Sequence, residues 1–242
     1  MLKALSLYSF RKVFSISLLF SSAFFAALFF ITRPNDTDMA FYISIGVFIV
    51  TALLSVFLFA GLNRSLAVSY FEKFYGDDEY TLMEVLGETS YYVVNTFLLV
   101  LTFFLAHNII IPYIAAVAGG LFQVSVGGFE FNALTLVINS FCIVWLFLGA
   151  AQITVLDATF FETLSLTLQF VFNNFFKLIG FVLFILVSHL LFEMVIVLTY
   201  QADDPLSTLP IKVFVMAYLV AMCCSVSVGF SAEDAEKDEE EE

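Results

Sequence analysis

Residues 13–32, VFSISLLFSSAFFAALFFIT, are twenty consecutive residues without a charge, bounded by Arg11 and Lys12 on one side and Arg33 on the other. A bilayer demands such a run: about 20 apolar helical residues cross a hydrocarbon core of about 30 Å, and a backbone group left unpaired in lipid costs several kcal/mol. Its apolar region of about 19 residues also exceeds the roughly 7 to 15 of a signal-peptide core, so this segment reads as an uncleaved first helix.

Further runs follow. Met39 to Asn63 contains AFYISIGVFIVTALLSVFLFAGL, Thr89 to Phe129 is a 41-residue stretch around Pro112, and Phe131 to Leu156 holds the one tryptophan, Trp145. Beyond them lie FVLFILVSHLLF between Lys177 and Glu193, and VFVMAYLVAMCCSVSVGFSA at Val213 to Ala232. Composition agrees: of 242 residues 62% are hydrophobic and 13% charged, with a mean hydropathy of +1.01, too little charge for the surface of a soluble domain. The expected architecture is an all-α, polytopic transmembrane helical bundle in a single domain, residues 1–230. Its six spans fall near 13–31, 40–62, 90–112, 131–153, 176–199 and 211–230, with interfacial helices between them.

The third run is too long for one span, since 41 helical residues reach roughly 60 Å. One reading is a tight hairpin at Asn108 to Pro112, making seven spans. The preferred one has the helix leave the membrane near Pro112 and continue as an exposed or re-entrant segment, punctuated by Gly119, Gly120, Gly127 and Gly128.

Basic residues in short loops favour the cytoplasmic side. Six spans place Lys3, Arg11, Lys12, Arg64, Lys73 and Lys177 inside against Arg33 and Lys212 outside. The expected location is the cell membrane, multi-pass, with both termini cytoplasmic. The net charge of −13 is split between the terminal SAEDAEKDEEEE, which has eight acids and one lysine and reads as a disordered, solvated tail over 231–242, and the remaining chain, with fourteen acids and eight basic residues. Acid excess in YGDDEY and QADDP resembles the acidic surfaces of proteins from salt-loving organisms. It also disfavours nucleic acid as a partner.

Between the second and third runs, Leu66, Tyr70, Phe71 and Phe74 recur at helical spacing. They predict a helix along the inner interface, broken at Gly76, with a second piece over Tyr80 to Gly87. Cys142, Cys223 and Cys224 fall inside spans and read as buried apolar residues. Asn95, Asn139 and Gln152 are expected to bridge helices.

Gln152 to Leu186, QITVLDATFFETLSLTLQFVFNNFFKLIGFVLFIL, is the most patterned segment. A span ends, Asp157 is placed to cap a new helix, and Phe161 to Asn174 forms that helix before the next span begins. The residues Val155, Asp157, Glu162, Leu164, Ser165, Val171, Asn174, Lys177 and Gly180 resemble a motif of six-helix membrane proteins. That group includes the membrane domain found beside some glycerophosphodiester phosphodiesterases, and related bacterial and archaeal domains of unknown function. The resemblance implies a non-catalytic membrane module; its relatives carry several arginines or lysines on this helix, where here only Lys177 stands.

Ionisable residues inside spans are the default place to look for chemistry. His189 and Glu193 lie four residues apart on one helix face and could relay protons, or bind a metal with His107 as a further ligand; a hydrogen-bonded pair near the outer interface is the simpler reading. No phosphate loop, HExxH, GxSxG or CxxC stands in the chain, and no cofactor or metal is implied. Two functions follow from the residues: a non-enzymatic module that works through the lipid bilayer and a membrane-protein partner, and a small transporter or intramembrane enzyme built on His189, Glu193 and His107.

Overall fold

The computed structural model describes residues 10–32, 38–75, 82–118, 123–126, 129–200 and 208–241; within these, the side chains of 189, 192–193, 195–200 and 234–241, among others, lie outside the description. Eight α-helices are present there: α1 (Phe10–Thr32), α2 (Asp38–Tyr75), α3 (Leu82–Leu105), α4 (Ile111–Ala118), α5 (Ala133–Val155), α6 (Phe160–Asn173), α7 (Phe175–Tyr200) and α8 (Leu209–Glu241). By length and composition five of them can cross a membrane, over Val13–Phe30, Met39–Tyr70, Gly87–Ile114, Leu134–Val155 and Leu209–Glu233. A sixth is counted when α6 and α7, bent by 105° at Asn174, are taken together. The all-α bundle expected from the apolar runs is therefore the observed fold, and the chain has the character of a membrane protein.

α8 lies at the centre, against α1, α2, α5 and α7. Its sequence explains this position. Ala217, Ala221, Cys224, Ser225, Ser227, Val228 and Ala232 are all buried, and their small side chains let neighbouring backbones approach, which is how helices associate when lipid offers no hydrophobic drive. Ser17 Oγ on α1 donates to the carbonyl of Ala217, tying the first helix into the bundle. Cys223 and Cys224 pack as small core residues, as the sequence suggested. On the outside, α3 turns Tyr91, Val94, Phe97, Leu101, Phe104 and Leu105 outward as a continuous apolar surface.

Three readings are overturned: a separate helix at Leu66, the alternative of a tight hairpin at Asn108 to Pro112, and a disordered tail. The separate interfacial helix beginning at Leu66 does not exist, because α2 is one helix of 38 residues, about 57 Å long at 1.5 Å per residue. Leu62, Leu66 and Tyr70, one turn apart, continue the buried seam of Phe59 past the end of the apolar run, so packing carries the helix on. Gly76 lies outside the described residues.

The alternative of a tight hairpin at Asn108 to Pro112 is set aside, because the helix runs on through Pro112 to Ala118, and the segment able to cross a membrane ends beside it, at Ile114. Ala106–Ile110 forms a π-helical turn in which the Ile111 N–H donates to Ala106 O, and α4 follows directly. Pro112 has no N–H for the carbonyl of Asn108 and its ring crowds that carbonyl; widening the preceding turn removes the clash without breaking the rod.

Beyond α4, Gln123–Val126 pairs antiparallel with Phe129–Asn132, Val126 opposite Phe129 and Gln123 opposite Asn132, so this glycine-rich stretch carries two paired strands among described residues that are otherwise almost all helical. The intervening Gly127 and Gly128 lie outside the described residues. Finally, the backbone of α8 is helical to Glu241, where a disordered tail was expected over 231–242.

Candidate functional site

Polar side chains from the last third of α2 and the first half of α3 converge where α5 ends and α6 begins. Arg64 of α2 directs Nε (3.1 Å) and Nη2 (2.8 Å) to one carboxylate oxygen of Glu88 on α3, and Nη1 to the carbonyl of Thr154 at 3.4 Å. Its guanidinium lies 5.4 Å from the ring centre of Tyr92, a cation over an aromatic face. Tyr92 in turn donates a 2.6 Å hydrogen bond to Asp157 Oδ1. Arg64 thus fills three roles with one planar fork, which a lysine could not.

Asp157 does not cap the new helix as the sequence suggested. It sits two residues past the end of α5 with φ of 51°, the left-handed conformation that closes many helices. Glycine usually takes that place, and aspartate is among the few other residues that tolerate it. The cap is Thr159. Its hydroxyl accepts from Glu162 N–H at 3.4 Å and donates to Glu162 Oε2 at 2.7 Å, while its own N–H donates to the same oxygen at 2.8 Å. These two donors, the backbone N–H first, hold the exposed Glu162 carboxyl below its ordinary value. Asn95 Oδ1 accepts from Phe160 N–H at 3.2 Å, a second link from α3 to the start of α6.

α6 is held along its length as well. Thr167 donates to Gln152 Oε1 of α5 at 2.8 Å, and Phe170 packs against Phe230 of α8 with ring centres 5.8 Å apart. Asn174 follows α6 and its N–H donates to Phe170 O. Lys177 at the start of α7 then pairs with Glu233 at 3.0 Å, its ammonium 5.7 Å from the Phe230 ring. Of the motif residues, Asp157 and Lys177 are thus tied to other helices, Glu162 closes the cap of its own helix, Asn174 forms the bend, and Ser165 faces outward.

The intramembrane candidates are placed differently. His107 lies in the π-helical turn; its Nδ1 is 3.0 Å from Asn139 Oδ1 of α5, and its ring stacks with Phe103. His189 and Glu193 share α7, and their side chains lie outside the described residues. Among the described residues, no three His, Cys, Asp or Glu side chains come together as a metal ion would require. Asn95, Asn139 and Gln152 each join two helices, as expected of polar residues in spans.

Between α3, α5, α6 and the start of α7 lies a cavity of about 410 Å³, walled by Leu99, Phe103, Trp145, Leu148, Leu164, Val171 and Leu178 among others. Its hydroxyls are occupied: Thr102 donates to Leu98 O at 2.9 Å and Thr167 to Gln152. Sequence reasoning did not find this space, whose walls come from residues far apart in the chain.

Comparison with family models, curated proteins and solved structures finds no match.

Proposed function

We propose that this chain is a non-enzymatic multi-pass membrane module, a scaffold or permease-like partner, whose distinguishing part is α6 held across the inner end of the bundle. The observation that supports this reading is the mutual engagement of the converging polar groups: Arg64, Glu88, Tyr92, Asp157, Thr159 and Glu162 each meet another group of the chain itself. Such an arrangement fixes helices in place. Going round α6, Thr163, Thr167 and Phe170 face the bundle, Phe161, Leu168 and Phe172 face outward, and Glu162, Gln169 and Asn173 form a polar edge. A helix with those faces suits the boundary between hydrocarbon and headgroups.

The likeness of residues 155–180 to the membrane-domain group found beside glycerophosphodiester phosphodiesterases belongs to the same proposal, since those members are membrane modules without catalysis of their own. So does the orientation with both termini cytoplasmic. Arg64 and Lys177, on the side richer in basic residues, flank the two ends of α6. Cysteines placed at Ser207 and Glu240 test it: the first reacts with an impermeant reagent from outside only, the second from inside only. The reverse pattern overturns the orientation.

A second reading, a small transporter or intramembrane enzyme using His107, His189 and Glu193, draws on the π-helical turn at His107, since such turns recur at functional sites. Pro112 supplies a structural reason for that turn. Changing His189 and Glu193 together to alanine separates the readings. The module account expects normal amounts of folded protein and an unchanged cellular phenotype; a folded double variant that has lost the phenotype overturns it.

A further inference from the structure

We infer that the cavity between α3, α5 and α6 is a binding site for one acyl chain of a membrane lipid, entered sideways from the hydrocarbon. Three observations carry this. Its volume of about 410 Å³ is within the range of ligand sites. It extends along α3 from Leu99 to Ala106, roughly 10 Å at helical rise and so about a third of the hydrocarbon thickness, a depth suited to part of one chain.

Its chemistry excludes a polar occupant. With the hydroxyls of Thr102 and Thr167 already donating to Leu98 O and Gln152, the walls offer a water or a polar ligand too few partners, and an apolar cavity of this kind stays dry.

Its opening faces lipid. Thr102, Phe141 and Leu168 line the cavity and also belong to the outward surface, continuous with Leu101 and Leu105 on α3. Round α6 the order is the same: Leu164 and Val171, which wall the cavity, lie between the bundle-facing threonines and the outward Phe161, Leu168 and Phe172. The void therefore borders the surface that acyl chains cover. Tails are as apolar as these walls, so the drive is packing: an empty cavity forfeits the dispersion contacts of its lining, and a chain at its mouth restores them. The inference rests on membrane insertion alone and holds whether or not the chain has an activity.

Trp145 lines the cavity and is the one tryptophan of the chain, so its fluorescence reports occupancy. The full chain is reconstituted in phosphatidylcholine bilayers with or without lipid brominated at mid-chain. Bromine is expected to quench Trp145 strongly, and Ala106→Phe, which fills the cavity from α3, to reduce that quenching at least two-fold, while Leu101→Phe on the outer surface leaves it unchanged. Thr102→Phe, at the exposed mouth, carries the same comparison if Ala106→Phe does not fold. Quenching that is equal in filled and native proteins means that Trp145 meets only bulk lipid, and overturns the site. Absence of quenching overturns it too, including the case where a dimer is recovered and a second copy shields the opening.

Discussion

Tyr92 and Asp157, 65 residues apart, are joined by a 2.6 Å hydrogen bond, and Asp157 is the one non-glycine with positive φ among the described residues. The bond fixes the carboxylate of the residue that turns the chain from α5 into α6. Tyr92→Phe removes a hydrogen bond to a charged acceptor and is expected to cost about 1.5–3 kcal/mol in thermal unfolding of the detergent-solubilised protein. Asp157→Asn keeps the residue's tolerance of the left-handed conformation, whereas Asp157→Ala adds roughly 1–2 kcal/mol for placing an ordinary side chain there. Asparagine should therefore be tolerated better than alanine at 157. Equal losses would show that the backbone conformation carries no weight.

Gly149 of α5 packs closely against Leu99 of α3 and Thr163 of α6. A Cβ built there would lie 3.0 Å from Leu99 Cδ2 and 3.0 Å from Thr163 Cγ2, while one at Gly46 or Gly180 meets nothing within 4 Å. Gly149→Ala is expected to destabilise by about 1–3 kcal/mol through overpacking. Gly46→Ala and Gly180→Ala, inside helices with free space, should be neutral or stabilising by up to about 1 kcal/mol. Differential scanning fluorimetry on the three variants decides the order.

The cap of α6 makes its stability depend on pH. The Glu162 carboxyl is depressed by the Thr159 N–H and hydroxyl, so it stabilises the folded state above its ordinary value of 4.5, and that contribution is lost as pH falls through the lower folded value. Hydrogen exchange of the first turn of α6 should thus be slower in the native protein than in Glu162→Gln at pH 7, with the difference vanishing in acid. Thr159→Ala should speed exchange by an amount equivalent to roughly 0.5–2 kcal/mol, the usual worth of an N-cap. A difference that grows in acid contradicts the capping geometry.

The two ion pairs are expected to differ in weight. Lys177 and Glu233 are about a third exposed, and Lys177→Met should change stability by no more than about 1 kcal/mol. Arg64 is more enclosed and also serves Thr154 O and the Tyr92 ring. Arg64→Met removes the donor to Glu88 and to that carbonyl, and a loss of about 1.5–3 kcal/mol is expected in chemical denaturation, from the hydrogen bonds and not from the ion pair, since Glu88 is 44% exposed.

Much of the bundle was legible because a membrane span is a matter of local composition: six apolar runs became helices at nearly the expected places. What the sequence left ambiguous depended on neighbours. Leu66 and Tyr70 at helical spacing read the same for a helix lying on a surface as for one continuing a span, and only contact with the bundle core decides. The eight acids of the tail argued for disorder by repulsion, yet glutamate is a good helix former and the tail continues a helix anchored by Phe230 and Ala232. Two signals were present and passed over. Thr159 and Glu162 form the T-x-x-E pattern of a capping box, which should have outranked Asp157, and Gly127-Gly128 between QVSV and FEFN is a hairpin signature. The Tyr92–Asp157 bond had no local signal, since it joins a helix to a turn 65 residues away in sequence.

The central claim, that the converging polar groups hold a membrane module together and perform no chemistry, is tested most directly by measuring folded protein and cellular phenotype together. Tyr92→Phe, Arg64→Met, Gly149→Ala and His107→Ala would each be expressed in cells lacking the native chain. The account predicts that phenotype follows the amount of folded, inserted protein in every variant and returns when lower temperature restores that amount. A variant present and folded at the native level, with the phenotype abolished, would contradict it.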